Sequence, residues 1–278
     1  MLRRDGIPGG WGKRRGDREY SDLGIVLRSY KLGESDKILR ILTREHGKRS
    51  AVAKGVRKTT SRFGARLEPM TMARMLLYVG RSMDTVKQVE IETSFHEVRE
   101  DLDLFLHASA MVELVDGITQ EHEPHPELFD LLLGGLELLK GFPRRAPFIV
   151  YFFEFKVMAA AGFDLRVDSC ANCGGEPGGG DVSFSLHLGG LVCDSCREGR
   201  YRETGRLITV RALSAELLSW MSLHGLGEWP EEPPGRATER EVGLLMDRVL
   251  EHWMEREFKS RRVMRETPGC RSERAKGG

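Results

Sequence analysis

The segment from Asp22 to Val56 reads DLGIVLRSYKLGESDKILRILTREHGKRSAVAKGV, and apolar residues alternate with polar ones along most of it. Such alternation predicts half-buried strands, and REHG fits a hairpin connection with Gly47 at the turn. MTMARMLLYVG and MDTVKQVEIETSF form a second predicted strand pair around GRS. Five mostly antiparallel strands before Val98 predict a small closed barrel of the OB type. An SH3-like barrel and a small open sheet are the alternatives.

The periodicity becomes helical after Phe95, where apolar residues recur at the spacing of one helix face. The segment APFIVYFFEFKVMAAAGF is apolar nearly all round, which predicts the central helix of a bundle. A Gly-rich insertion with little periodicity interrupts the helical pattern between Gly162 and Leu207, and it contains most of the cysteines.

Four of the five cysteines form two CxxC pairs, Cys170 with Cys173 and Cys193 with Cys196, with nineteen residues between the pairs. Each pair brings two thiolates to one side of a tight turn, and two pairs complete a tetrahedron around Zn²⁺. Four thiolates leave no open coordination position, so the sequence predicts one structural zinc per chain. Two redox pairs or two disulfides are the alternatives, but the cysteines lack a thioredoxin-like βαβ setting. Cys270 is predicted to be a spare thiol.

We therefore predict an α+β fold, in which a five-stranded OB-type β-barrel precedes a helical bundle with an inserted four-cysteine zinc module. The sequence has neither an apolar run long enough to cross a bilayer nor an apolar signal region behind its N-terminal arginines. We accordingly expect a cytoplasmic protein with reduced thiols. The predicted domains are a disordered basic extension at 1–20, the barrel at 21–98, the helical domain at 99–167 and 207–258, the zinc module at 168–206, and a basic disordered tail at 259–278.

Charge is distributed unevenly along the chain, although the formal net charge is only +1. Residues 1–66 hold 18 Lys and Arg against 7 Asp and Glu, and the remaining residues hold 25 against 35. The last 23 residues, from Arg256, are again basic, with 8 against 3. A basic front end predicts a polyanionic partner for that part of the chain.

The basic residues of the predicted barrel are candidates for nucleic-acid binding, because no carboxylate separates the six that lie from Arg49 to Arg66. A merely solvated face, the alternative, normally mixes both signs. The aromatic residues between residues 22 and 90 are Tyr30, Phe63 and Tyr78. Phe63 lies within the basic run and can stack on a base, but an isolated Phe in a barrel is more often a core residue. The expected contact is mainly with phosphates, strongly salt-dependent and weakly sequence-specific. The candidate residues are Arg28, Lys31, Lys37, Arg40, Lys48, Arg49, Lys54, Arg57, Lys58, Arg62 and Arg66.

Signals of catalysis are poor, since the sequence has no GxxxxGK[ST] loop, no HExxH motif and no cluster among its eight histidines. Asp101 and Asp103 lie two residues apart on a predicted helix and therefore point to different faces. We expect no catalytic residues, no enzyme activity and no small-molecule substrate.

Four segments of the front end closely resemble the RecO family of DNA repair proteins. In order, they match the family's GExDkil, TrexGk, akGvRk and SrfgaxLqP segments, and they are Gly33–Leu39, Thr43–Lys48, Ala53–Lys58 and Ser61–Pro69. The helical middle and the two cysteine pairs extend the resemblance over roughly residues 21–255. Some members of the family lack the cysteines, which argues against zinc being essential to the family's activity.

The resemblance implies a nucleoid-associated recombination mediator that binds single- and double-stranded DNA and anneals complementary strands. It also implies three protein partners, namely RecR on gapped DNA, RecA, and single-strand-binding protein (SSB), whose acidic C-terminal tail the family contacts. Because that tail is acidic and ends in apolar residues, its site needs Lys or Arg beside an apolar groove of the helical domain. The candidate residues for this contact are Lys140, Arg144, Arg145 and Lys156.

Two other classes of function stay open at this stage. A basic OB domain with a zinc module can serve as an RNA-binding or translation-associated factor, and an RNA-binding factor would prefer RNA to DNA of the same sequence. The chain can also be a protein scaffold whose basic face meets an acidic protein surface. A scaffold of that kind would not anneal DNA strands on its own.

Overall fold

The computed structural model describes residues 18–56, 67–198 and 207–254, together with Ser260 and Val263. The chain forms two compact units. The barrel unit consists of the chain up to Ser94 together with Thr119–Pro126, and the helical unit consists of Phe95–Ile118 and the residues from Glu127 onward. Most of the predicted basic extension and tail, as well as Phe63 and Cys270, lies outside the described residues.

Five strands form a closed barrel in the order β1-β2-β3-β5-β4. Neighbouring strands pair antiparallel except for β3 and β5, whose short parallel pairing closes the ring. The structure thus confirms the predicted OB-type barrel, and closure of the ring excludes a small open sheet. The strands are β1 (Glu19–Leu32), β2 (Asp36–Thr43), β3 (Gly47–Ala53), β4 (Met72–Tyr78) and β5 (Asp84–Thr93).

The barrel strands form where apolar side chains alternate, because alternate residues of a strand point to opposite faces of the sheet. In β4 the residues Ala73, Met75 and Leu77 are fully buried, while their neighbours in the strand are partly exposed. Corresponding residues of β1, β2, β3 and β5 complete one apolar core. Its members are Val26, Leu39, Ile41, Ala51, Ala53, Val56, Leu67, Ala73, Met75, Leu77 and Val86.

The helical unit is built around α4, which is buried nearly all round and packs against α2, α6 and α7, as its uniform apolar character predicts. No helix in the described ranges combines the length and apolar character that crossing a bilayer requires. The helices are α1 (His96–Glu100), α2 (Leu102–Ile118), α3 (Pro126–Gly141), a short 3₁₀ helix (Pro143–Arg145), α4 (Ala146–Ala160), α5 (Asp194–Glu198), α6 (Ala212–Leu223) and α7 (Arg236–Met254).

The insertion between α4 and α6 contains a small antiparallel sheet in the order β7-β6-β8. Its strands are β6 (Val182–Ser185), β7 (Gly190–Val192) and β8 (Leu207–Val210). All four residues of β8 pair with β6, so this sheet extends past residue 206, where the predicted zinc module ends. The short helix α5 follows β7 and contains the last cysteine of the insertion.

Candidate nucleic-acid surface and metal centre

The four cysteines of the insertion form a compact cluster. The Sγ atoms of Cys170, Cys173, Cys193 and Cys196 all lie within 4.8 Å of one another. A tetrahedral zinc site with bonds of about 2.3 Å separates its sulfurs by roughly 3.8 Å. The Sγ atoms of Cys173 and Cys193 are 3.8 Å apart, and none of the four cysteines forms a disulfide. The donor set therefore fits a tetrahedral metal ion, as the spacing of the two pairs predicts.

Each cysteine pair is held by its own tight turn. In the first pair, the Gly174 amide donates to the Cys170 carbonyl at 2.9 Å, and Gly174 has a φ of +73°, which glycine adopts without strain. In the second pair, the Cys196 amide donates to the Cys193 carbonyl at 3.1 Å. These local hydrogen bonds make the turns, so four residues of sequence are enough to place two thiols side by side.

The environment of the sulfurs is suited to a bound cation. Burial opposes ionisation of the Cys170 thiol, but backbone N–H groups of Cys173, Cys193 and Asn172 outweigh it and lower its pKa to about 6. At Cys196 the Asn172 amide favours the thiolate, yet burial and the three neighbouring cysteines raise the pKa to about 12. Four thiolates this close repel one another, and a divalent cation removes that repulsion.

Two of the candidate DNA-binding residues, Arg28 and Arg40, lie directly opposite each other on β1 and β2. Arg40 lies between Leu39 and Ile41, which both face the core, so its side chain points to the outer surface of the barrel. The next pair toward the hairpin on this outer surface is Tyr30 with Ile38. Both side chains are partly exposed, so a phosphate group at this outer surface can reach them.

Lys31 and Lys37 form a second like-charged pair between β1 and β2, close to the hairpin. Lys31 is exposed, whereas the Lys37 side chain is only 16% exposed and its ammonium contacts the Glu68 carboxylate at 2.7 Å. Lys54 follows the end of β3 and is also exposed. In the described part of the barrel, the fully exposed candidate cations are thus Lys31, near the end of β1, and Lys54, just past the end of β3.

Lys48 and Arg49 have partners inside the barrel unit. Lys48 is only 5% exposed, and its ammonium donates a 2.6 Å hydrogen bond to the Thr119 carbonyl. The Arg49 guanidinium donates to the Tyr20 hydroxyl at 2.9 Å and lies 3.4 Å from the Asp84 carboxylate. These contacts are structural, and the sequence carries no local signal for them. DNA contact by either residue stays a prediction, as it does for Arg57, Lys58, Arg62 and Arg66, which lie outside the described residues.

Two of the four candidate SSB-tail residues contact aromatic rings of the helical unit. The Arg145 guanidinium lies 5.0 Å from the centre of the Trp229 ring, which also contacts Phe142 and Phe148. The Lys156 ammonium lies 5.6 Å from the Phe152 ring centre, and burial lowers its pKa.

The other two candidates, Lys140 and Arg144, differ from this pair. Lys140 pairs with the Glu97 carboxylate at 3.1 Å, and Arg144 is exposed on the 3₁₀ helix. The structure therefore brings Arg145 and Lys156 to aromatic rings and gives Lys140 an acidic partner. No local pattern points to the contribution of Trp229, because this residue lies beyond α6, far from the basic candidates in sequence.

A closed OB-type barrel, combined with a helical unit that bears a four-cysteine cluster, defines the class of protein to which this chain is similar. Family models described as "Recombination protein O N terminal" and "Recombination protein O C terminal" match residues 18–95 and 99–262. The chain therefore belongs to the RecO family of DNA repair proteins.

Individual relatives named "DNA repair protein RecO" agree with the family models. The Nocardioides sp. protein is 35% identical over 246 residues, which cover 87% of this chain and 97% of that protein. The Desulfitobacterium hafniense protein is 36% identical over 241 residues, 84% of this chain and 88% of the relative. The Frankia casuarinae protein is 42% identical over 180 residues, 64% of this chain and 73% of the relative.

Proposed function

We propose that this protein is a recombination mediator that binds single- and double-stranded DNA and anneals complementary strands. With RecR it helps RecA to assemble on DNA covered by SSB. It acts at the nucleoid in the cytoplasm and positions strands rather than catalysing a covalent reaction. Membership of the RecO family supports the role in repair, and the basic outer surface of the barrel supports the contact with DNA.

The opposed pair of Arg28 and Arg40 is the observation that carries the proposed DNA contact. Two complementary strands repel each other through their phosphates, and a cationic surface lowers that repulsion. Annealing must leave the base edges available for pairing, so contacts to phosphate serve it better than contacts to bases. The exposed Lys54 extends this surface past β3, and the exposed Lys31 lies at the hairpin end of β1, one residue after Tyr30 and therefore on the other side of the strand.

Annealing of complementary oligonucleotides, with and without bound SSB, tests this function directly. We expect wild-type protein to accelerate annealing in both cases and Arg28→Ala/Arg40→Ala to do so much less. Arg240→Ala/Arg248→Ala is the matched control, because it removes two exposed arginines from α7. A wild-type protein that binds RNA in preference to DNA, or that anneals nothing, contradicts the proposal.

The proposed metal ion is zinc, held by Cys170, Cys173, Cys193 and Cys196 as thiolates. Zinc supplies a cross-link that stabilises the β6–β7 region, and four thiolates leave it no open position for catalysis. The small size of the sheet supports a structural role, since its three strands contain only a few buried apolar residues.

We also place the acidic SSB tail on the aromatic cluster around Trp229. Phe142 is 47% exposed at this cluster, so apolar and cationic groups are both accessible to an acidic peptide with an apolar end. A fluorescently labelled tail peptide should bind wild-type protein and lose affinity with Arg145→Ala and with Trp229→Ala. Arg240→Ala serves as the control. Equal binding by all variants would show that the tail does not bind at this cluster.

A further inference from the structure

The outer surface of the barrel carries an aromatic side chain beside its arginine pair. Tyr30 lies two residues after Arg28 on β1, which places it about 6.6 Å further along the same face of the strand. Its side chain is 49% exposed, and within the described part of the chain its hydroxyl has no hydrogen-bond partner. The Tyr30 side chain therefore does not serve as the hydrogen-bond partner of a buried polar group in the described residues.

Tyr30 belongs to a row of apolar side chains that crosses three strands. It lies opposite Ile38 on β2, and Ile38 lies opposite Val52 on β3. Both aliphatic residues are partly exposed, so the row forms an apolar strip on the outer surface. In the next row, Ser50 lies opposite Arg40 and its hydroxyl donates to the Glu121 carboxylate at 2.7 Å. The Arg28–Arg40 pair lies on one side of this strip, and the exposed Lys54 follows β3 on the other.

We propose that Tyr30 stacks on an unpaired nucleobase and gives the barrel a preference for single-stranded over double-stranded DNA. An aromatic ring next to cations suits single-stranded nucleic acid, because the cations can contact its phosphates while the ring stacks on an exposed base. In a duplex the base faces are covered by neighbouring pairs, so the same ring has nothing on which to stack. The occupant is a base rather than an apolar peptide, because cations border the strip.

This inference rests on the proposed DNA contact and refines it. The phosphate contacts of Arg28 and Arg40 act on both forms of DNA, whereas the Tyr30 contact acts only where bases are unpaired. Because each base has an aromatic face, the contact tolerates any sequence, in agreement with a protein that must anneal arbitrary strands.

Binding of three DNA probes by Tyr30 variants tests the inference. The probes are oligo-dT, an abasic strand of the same length, and a duplex, each measured by fluorescence anisotropy at several salt concentrations. Tyr30→Ala should weaken oligo-dT binding at least about five-fold and leave the abasic strand and the duplex unchanged. The salt slope should not change, because no phosphate contact is removed. Tyr30→Phe should retain the wild-type affinity.

Two controls separate stacking from other effects. Tyr30→Leu keeps apolar bulk without an aromatic face, so it should behave like Tyr30→Ala if stacking is the cause. Tyr78→Ala removes a tyrosine from β4, opposite the far end of β1, and should leave oligo-dT binding unchanged. Circular dichroism melting checks that each variant is folded.

The outcomes distinguish this inference from the proposed function. If wild-type protein binds DNA and Tyr30→Ala binds oligo-dT equally well, stacking is excluded and the phosphate contacts stand. Equal losses on oligo-dT and on the abasic strand also exclude stacking. If wild-type protein binds none of the three probes, the proposed DNA contact fails together with the inference.

Discussion

The cysteine cluster and the outer surface of the barrel both bring chemically similar groups together, but they do so with different geometry. Four thiols of the insertion converge within 4.8 Å, so that one ion can contact all of them. The candidate arginines and lysines of β1 and β2 form two separate pairs, Arg28–Arg40 and Lys31–Lys37, and no single ion can contact them all. A convergent site should lose its function when any one of its residues is substituted. An extended surface should lose binding gradually, by one step for each residue substituted.

Removing one thiol should have the largest effect. We expect Cys173→Ser or Cys193→Ser to abolish stoichiometric zinc binding and to loosen the β6–β7 region, because structural zinc is coupled to folding. Elemental analysis of protein purified without chelator measures the first effect, and hydrogen exchange measures the second. Cys270→Ser is the matched control and should keep one zinc per chain. If wild-type protein contained no zinc, the cysteine cluster would not be a convergent metal site.

A smaller but global effect is expected from Lys48→Ala. The charged hydrogen bond to the Thr119 carbonyl is buried, and its loss should lower the free energy of unfolding by about 1.5–3 kcal/mol. The exposed Lys54 provides the control, since Lys54→Ala should leave the stability nearly unchanged. Urea unfolding of both variants measures the difference. Equal stability of the two would show that Lys48 belongs with the surface cations after all.

The arginine pair should show the stepwise behaviour of an extended surface. Arg28→Ala/Arg40→Ala should reduce the salt slope of single-strand binding by about 1.4, since each lost phosphate contact accounts for roughly 0.7. Binding should weaken about equally on all sequences, because no base edge is read. DNA affinity measured at several salt concentrations tests this. An unchanged slope would mean that the surface is merely solvated.

The smallest effect should come from a single lysine at the margin of the surface. Lys31→Ala should reduce the salt slope by about 0.7 and leave both zinc content and folding unchanged. Adding Lys54→Ala should reduce the salt slope by a similar further amount. A collapse of binding with the first lysine would contradict the stepwise behaviour and would indicate one convergent DNA site.

The sequence predicted the cysteine cluster fully and the basic surface only in part. Each CxxC turn is closed by hydrogen bonds between residues at most five positions apart, so local spacing contains the information. Lys48, in contrast, meets a carbonyl 71 residues away, on a segment that returns to the barrel after α2. Gly47 has a φ of +74° and leaves room for the backbone of Glu123 in that same segment. No pattern within β3 indicates this neighbour.

Arg49 is a similar case, because its partner Asp84 lies on β5 and reaches it through the parallel closure of the barrel. The basic run from Arg49 onward suggested one continuous surface, but in its described part Arg49 is paired inside the barrel unit while Lys54 is exposed. Net charge counts residues without regard to the direction of their side chains, and that direction depends on strand pairing.

By itself, the sequence determined the barrel strands, the central apolar helix and the four-thiol cluster, because alternation, uniform apolarity and short spacing act over neighbouring residues. Only the tertiary structure decided which cations face outward. Strict alternation from the buried Val26 would turn Arg28 toward the core, but the β1–β2 register shifts between these residues and leaves Leu27 without a partner on β2. This bulge turns Arg28 and Tyr30 to the outer face. Such a bulge forms only when two strands pair, so it depends on residues of both.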